Sequence, residues 1–265
     1  MAITAADVLA ALTHGEMEIE GRLVDASNTT LRVVLSHDGV EVRGVYKPVR
    51  GERPLWDFPT GTLAGREVGA YLVSEALGWN LVPPTVPRDG PFGPGSVQLW
   101  LDELDEPPVG FVAADEMPDD WFGIAAARDD DGRAYVLGHG DTPDLARLAL
   151  FDAVVNNADR KGGHVLAFQD RLYGVDHGVC FHAEPKLRTV LWGFAGKPIP
   201  DDLRLRLSEV DLGVIGLGID MGTGLGPLLS EVEIEALRDR VGALAALGVY
   251  PMPDPDRHVI PWPPI

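Results

Sequence analysis

The stretch that most constrains this chain runs from Asp141 to Gly178, DTPDLARLALFDAVVNNADRKGGHVLAFQDRLYGVDHG. Asp141 or Thr142 can cap a helix with Pro143 in its first turn, and that helix runs through LARLALFDAVVNN. A polar loop, Asp159-Arg160-Lys161-Gly162-Gly163-His164, follows it. Two short strands, HVLAF and RLYGV, then flank a turn at Gln169-Asp170, and Asp176-His177-Gly178 closes the second strand. Asp159 on the loop is placed to orient a substrate hydroxyl and accept its proton. Asp176 at the strand end is placed to ligate a divalent metal that bridges phosphates, with Gly178 giving the backbone freedom to turn. Either aspartate alone reads as an ordinary loop or cap residue. The ordered run of helix, Asp-Arg loop, strand, turn, strand and Asp-x-Gly is what carries specificity.

The residues before this stretch have a different texture. MAITAADVLAALTHGE lacks the basic start of a secretory signal and reads as a short amphipathic helix. Alternation then predicts a strand over Glu16 to Val24, a turn at DASNT and a second strand in TLRVVLS. His37-Asp38-Gly39 is a hairpin signal leading to a third strand, VEVRGVYKP. Thr62 to Leu77 has helical spacing with Gly78 as its stop. VPPTV is extended, GPFGPG is a turn, and SVQLWL is another strand. Residues 102–140 are acidic, rich in Pro and Gly and poorly periodic, and read as an inter-lobe connection with a mobile insertion. A strong helix is expected at SEVEIEALRDRVGALAAL, followed by a Pro-rich tail over 251–265 that wraps the surface.

The expected architecture is therefore α+β and bilobal, within a single domain spanning 1–265. A small β-rich lobe and connecting strand (1–101) carry one main helix. The 102–140 connection leads to a larger, mostly helical lobe (141–250) and the tail. Small ligands commonly bind between such parts.

Only four lysines occur, Lys47, Lys161, Lys186 and Lys197. Lys47 ends the third strand, where an ammonium can reach nucleotide phosphates if an anion holds it. Glu67 on the following helix is the natural partner. The plainer alternative is a snorkelling lysine at a strand end.

Together YKP, GREVGAYLVSEALGWNLVPPTV, VQLWL, ADRKGGH and VDHG resemble the catalytic domain of the phosphatidylinositol 3-/4-kinase-like branch of the protein-kinase-like superfamily. They are more distantly similar to HipA-type kinases. The resemblance covers residues 15–250 or so. It implies an ATP-dependent phosphotransferase using Mg²⁺ or Mn²⁺, with Lys47 on the phosphates and Glu67 as its partner. It further implies a hinge at Val97–Leu101, so that Gln98, Leu99, Trp100 and Leu101 would meet adenine. Ser27 and Asn28 would cover the phosphates, although a plain hairpin turn explains DASNT equally well. Asp159 takes the catalytic position and Asp176 the metal position. The acceptor is a hydroxyl on a small molecule, a polyol, a lipid headgroup or a protein.

Three positions depart from the family pattern. His164 stands where relatives carry a metal-holding asparagine, and an imidazole suits Mn²⁺ better than Mg²⁺. It serves either as a ligand or as a structural hydrogen bonder. Lys161 stands in place of a histidine and brings a cation to the reaction centre, where it would neutralise phosphate charge. His177 replaces the phenylalanine of the Asp-Phe-Gly motif. These departures motivate two alternatives: an ATP-binding pseudokinase with a regulatory role, and a kinase-fold enzyme that transfers AMP. His182, Lys186, Arg188 and Trp192 follow where kinases often select substrate, although a solvated amphipathic segment explains them as well.

Composition narrows the partners. A net charge of −19 argues against nucleic acid and against docking on an anionic membrane. No apolar run reaches the roughly 20 residues needed to cross a bilayer. The single cysteine, Cys180, cannot form an intramolecular disulfide, which fits a cytoplasmic, reducing environment. GLGIDMGTGLG (216–226) lacks the glycine spacing and βαβ setting of a dinucleotide site.

Overall fold

The structure, a computed structural model, describes residues 3–23, 28–102, 105–211 and 224–265. These divide into two compact units. One holds residues 3–102, His177–Val179 and 224–231; the other holds 105–176, 180–211 and 232–265. The glycine-rich 216–226 segment falls almost wholly outside the described residues. Among those described, no helix is long and apolar enough to cross a membrane.

The first unit opens with helix α1 (Ala5–His14). Its start is fixed by a capping box: the Thr4 hydroxyl accepts from the Asp7 N–H, and the Asp7 carboxylate accepts from the Thr4 N–H at 2.9 Å. Strands β1 (Glu16–Arg22), β2 (Leu31–His37), β3 (Val40–Pro48), β4 (Thr85–Gly90) and β5 (Gly93–Leu99) form an antiparallel sheet in the order β1-β2-β3-β5-β4. Leu31, Val33 and Leu35 alternate inwards from β2 and join Leu12, Tyr46 and Val97 in one core. Arg88 of β4 ties the end of α1 to the sheet by donating to the Leu12 carbonyl at 2.9 Å. Helix α2 (Leu63–Ala76) follows the β3 strand, and Gly78, at φ +66°, ends it in the left-handed region.

In β3 the core takes Tyr46 and Pro48, so the strand's period of two sends Lys47 to the opposite face, where α2 carries Glu67. The position of Lys47 therefore follows from the alternation of its apolar neighbours.

The second unit carries the expected later helices but also takes in the 102–140 stretch. The 102–140 stretch, expected to be a connection with a mobile insertion, carries a three-stranded antiparallel sheet: β6 (Val109–Ala113), β7 (Trp121–Arg128) and β8 (Ala134–Gly140), in the order β6-β8-β7. Its acidic residues cluster in the turns, and the short strands between them alternate too briefly to dominate the local composition. Helix α3 (Pro143–Val155) has the expected cap, Thr142 accepting from the Leu145 N–H at 3.3 Å, with Pro143 in the first turn. It ends at Asn156 in the left-handed conformation (φ 53°). Strands β9 (Val165–Phe168) and β10 (Arg171–Gly174) form the expected hairpin, with Gln169 and Asp170 both at positive φ. Helices α4 (Asp201–Glu209) and α5 (Glu231–Leu247) follow.

Close packing of β3 on β5 gives a direct test. A β-carbon at Gly95 would sit on the Lys47 carbonyl oxygen and 2.8 Å from the Pro48 Cα. Gly95→Ala is expected to destabilise the protein by about 1–3 kcal/mol, read by urea denaturation.

Candidate active site

The site is built outward from one buried carboxylate. Asp152 lies in the last turn of α3 with no exposed surface, a position that is costly for a charge unless it is paired. Arg160, equally buried, supplies the pair: its Nε and Nη2 both lie 3.0 Å from Asp152 Oδ1. Asn157 Nδ2 donates to the same carboxylate at 3.0 Å and the Thr189 hydroxyl at 3.1 Å. Burial pushes the Asp152 carboxyl up, and the Arg160 guanidinium opposes that shift. The remaining Arg160 nitrogen, Nη1, donates to the carbonyls of His164 (3.2 Å) and Val175 (2.8 Å). One guanidinium thus joins helix α3, both ends of the Asp159–His164 loop and the residue before Asp176.

The Asp159 amide donates to Asn157 Oδ1 at 2.9 Å, which sets the direction of the loop. The Asp159 side chain is partly exposed, and Lys161 Nζ lies 3.4 Å from its Oδ2. Burial raises the Asp159 carboxyl above the usual range; Lys161 opposes this, Asp176 adds to it and Arg188 opposes it. Asp176 is held at φ 60°, an uncommon conformation outside glycine that recurs at functional sites. The left-handed residue of Asp176-His177-Gly178 is thus the aspartate, whereas Gly178 is not among the positive-φ glycines. His164 Nε2 faces Asp176 Oδ2 at 3.3 Å, and its Nδ1 lies 3.5 Å from the Lys161 N–H.

Among the described residues no group of three or more His, Cys, Asp or Glu side chains is gathered for a metal. Asp176 and His164 supply one oxygen and one nitrogen donor close together. That mixed pair suits Mn²⁺ better than Mg²⁺, and kinase metals take most of their remaining ligands from phosphates and water.

In the first unit, Lys47 Nζ is hydrogen-bonded to Glu67 Oε1, and Glu67 Oε2 accepts from the His177 amide at 3.0 Å. Glu67 is nearly fully buried, so the pair is fixed in place. The residues expected to form a hinge differ in their contacts. The Gln98 side chain is buried and donates to Thr85 Oγ1 at 2.8 Å. The amides of Leu99 and Trp100 donate to the carbonyls of Pro84 (2.8 Å) and Arg43 (2.9 Å). Leu101 carries no such bond among the described residues. Asn28 Oδ1 accepts from the Arg53 amide at 2.8 Å, and Ser27 lies outside the described residues.

Three features escape a reading of the motifs alone. Asp152 and Arg160 form the loop's anchor, and the one signal available was a carboxylate inside the otherwise apolar LFDAVV turn. Asn156 accepts from the Lys186 amide and donates to the carbonyls of His182 and Glu184, ordering the segment after the Asp-x-Gly motif. The Pro-rich tail packs on the Asp159–His164 loop: the Pro264 carbonyl accepts from the Gly162 amide at 2.8 Å, and Ile265 packs over Gly162. Trp192 is a packing residue here, its indole donating to the Val259 carbonyl at 2.9 Å.

This α+β fold is protein-kinase-like. It matches the structure of hydra Fam20 with sugar at a TM-score of 0.58 and 15% identity, over 93% of this chain and 89% of that one. The Helicobacter pylori proinflammatory kinase CtkA matches at a TM-score of 0.49 and 12% identity. No family model matches the chain. Protein Rv2133c of Mycobacterium tuberculosis is 47% identical over 268 residues, covering 97% of this chain and 95% of that protein. The chain belongs to the family of Rv2133c.

Replacing Asp152 by Asn would leave the Arg160 charge buried without its counter-ion. The expected loss is about 3–5 kcal/mol of stability, measured by denaturant unfolding.

Proposed function

We propose that the protein is an ATP-dependent phosphotransferase that moves the γ-phosphoryl group to a hydroxyl. The observation that carries this reading is the Asp176-His177-Gly178 segment. Asp176 follows β10 by two residues, and the next residue's amide closes on Glu67, which in turn holds Lys47. A strand lysine, its helix glutamate and an aspartate with that connectivity are the parts a kinase needs to hold nucleotide phosphates. The finer likeness to the phosphatidylinositol 3-/4-kinase branch, Gln98–Leu101 as the adenine hinge, and Ser27 and Asn28 as the phosphate cover all belong to this proposal.

In this mechanism Lys47 contacts the phosphates of ATP and Glu67 keeps its ammonium in position. A divalent ion, Mg²⁺ or Mn²⁺, held by Asp176 with His164 beside it would neutralise phosphate charge. Asp159 orients the acceptor hydroxyl and takes its proton as the oxygen bonds to the γ-phosphorus and the bond to the departing ADP breaks. Lys161 faces the same reaction centre and offsets the charge of the transferring group. Little covalent chemistry falls to the protein, so rate depends on how firmly these groups are placed.

A second reading, nucleotide binding without turnover, is favoured by one observation. The His164 imidazole already sits on the Asp176 carboxylate, so ligation of a metal would have to displace or share that contact.

Titration with ATP plus Mg²⁺ or Mn²⁺ is expected to raise the melting temperature, and Lys47→Met to abolish the rise. Asp159→Asn should keep the ATP-induced rise while lowering phosphoryl transfer about 10²–10⁴-fold. ATP binding with no turnover, unaffected by Asp159→Asn, would establish the pseudokinase instead, and an AMP adduct would establish AMP transfer.

The pH profile has a definite sign. Asp159 must be ionised to accept a proton, and its carboxyl is raised by burial, so kcat/KM falls as pH drops through that raised value. Lys161 holds the value down, so Lys161→Met should move the acidic limb to higher pH.

A further inference from the structure

Beside Asp159, wholly within the second unit, lies a hollow of about 1230 Å³. Its wall is made by the three-stranded sheet. Phe111, Leu137 and Ala125 lie directly across β6, β8 and β7 from one another, and Ala127 follows two residues on. Small side chains on β7 beside a large one on β6 leave a concavity that bulkier residues would fill. Tail residues Ile260 and Trp262 line it too. Phe111 is 45% exposed and Trp262 88% exposed. Aromatic surface left open around a concavity is the usual mark of a ligand site.

The charge of this hollow is opposite to that of the chain. Among the described residues lining it, Arg128, Arg188 and Arg257 outnumber one carboxylate, Asp159, whereas the whole chain carries −19. Two of the arginines are engaged: Arg128 donates to the Gly132 carbonyl, and Arg257 to that of Pro185. Arg188 differs. Its guanidinium makes no hydrogen bond or ion pair among the described residues, while its backbone is locked to the catalytic loop. The Arg188 amide donates to Asn157 at 2.9 Å and its carbonyl accepts from the Arg160 amide at 3.0 Å. The register of these bonds sets Arg188 alongside Asp159.

We propose that this hollow is the acceptor site and takes a small amphipathic anion that bears a hydroxyl. The apolar body would lie against Phe111, Leu137 and Ile260, its anionic group on Arg188, and its hydroxyl at Asp159. This rests on Asp159 acting on the acceptor. A polyol alone would leave the apolar wall wet, and a neutral apolar molecule would leave the Arg188 charge unused.

The test uses 8-anilinonaphthalene-1-sulfonate, an aromatic monoanion, and the neutral N-phenyl-1-naphthylamine, each titrated by fluorescence into the full chain. The sulfonate is expected to fill one saturable site. Arg188→Gln should weaken its binding about tenfold, as one charge-assisted contact is lost, and change binding of the neutral dye less than twofold. Ala125→Trp, which fills the hollow from the strand face shared with Phe111 and Leu137, should abolish binding of both. Sulfonate affinity unchanged by Arg188→Gln, or an equal loss for both dyes, would overturn the anion assignment. Binding retained in Ala125→Trp would overturn the hollow as the site. No step of the titration needs ATP, so failure of phosphoryl transfer would be seen separately, in the Asp159→Asn comparison.

Discussion

The ion pair between Asp152 and Arg160 is the interaction on which the second unit depends. Two fully buried, oppositely charged groups are tolerable only when every donor and acceptor is used, and here they are. Asp152 collects Arg160, Asn157 and Thr189; Arg160 goes on to the carbonyls of His164 and Val175. A pair of this kind contributes little net stability compared with an apolar substitute, but it fixes geometry. It is the reason a loop containing two glycines can present Asp159 in a single direction.

The same economy extends around the loop. Gly162 is pinned by the tail, Arg188 and Thr189 run beside residues 157–160, and Asn156 holds the segment from His182 to Lys186. For phosphoryl transfer this is where protein chemistry matters most, because placement and charge compensation supply the rate. Lys161 illustrates the balance: its ammonium lies 3.4 Å from Asp159 and offsets the effect of burial on that carboxyl. Asp176 and Asn156 are both held in the left-handed region, where few residues other than glycine settle without support from their surroundings.

Most elements of the first unit were legible in the sequence because their signals are local. The amphipathic spacing of α1, the alternation of β2 and the Gly78 stop each act within a few residues. The pairing of Lys47 with Glu67 was also legible, because strand period and helix position leave one acidic partner within reach. The 102–140 sheet was obscured because its acidic turns dominate the composition, while its pairing joins strands whose alternation is weak. Arg160 was obscured for a different reason: a surface-looking Asp-Arg-Lys run gives no sign that its middle residue is entirely buried.

By itself the sequence determined which residue types stand at which points of the helix-loop-hairpin order, because capping, turn chemistry and periodicity act over a few neighbours. It therefore settled that Asp159 follows a helix and Asp176 follows a strand. Only the tertiary structure decided what surrounds them. Arg160 meets Asp152 eight residues earlier, the tail meets Gly162 roughly a hundred residues away, and Arg188 lies alongside Asp159 across a turn of the chain. Those contacts depend on which buried charges can be satisfied together and which apolar faces can close on one another. That is a property of the packed chain, with no counterpart in any short stretch of sequence.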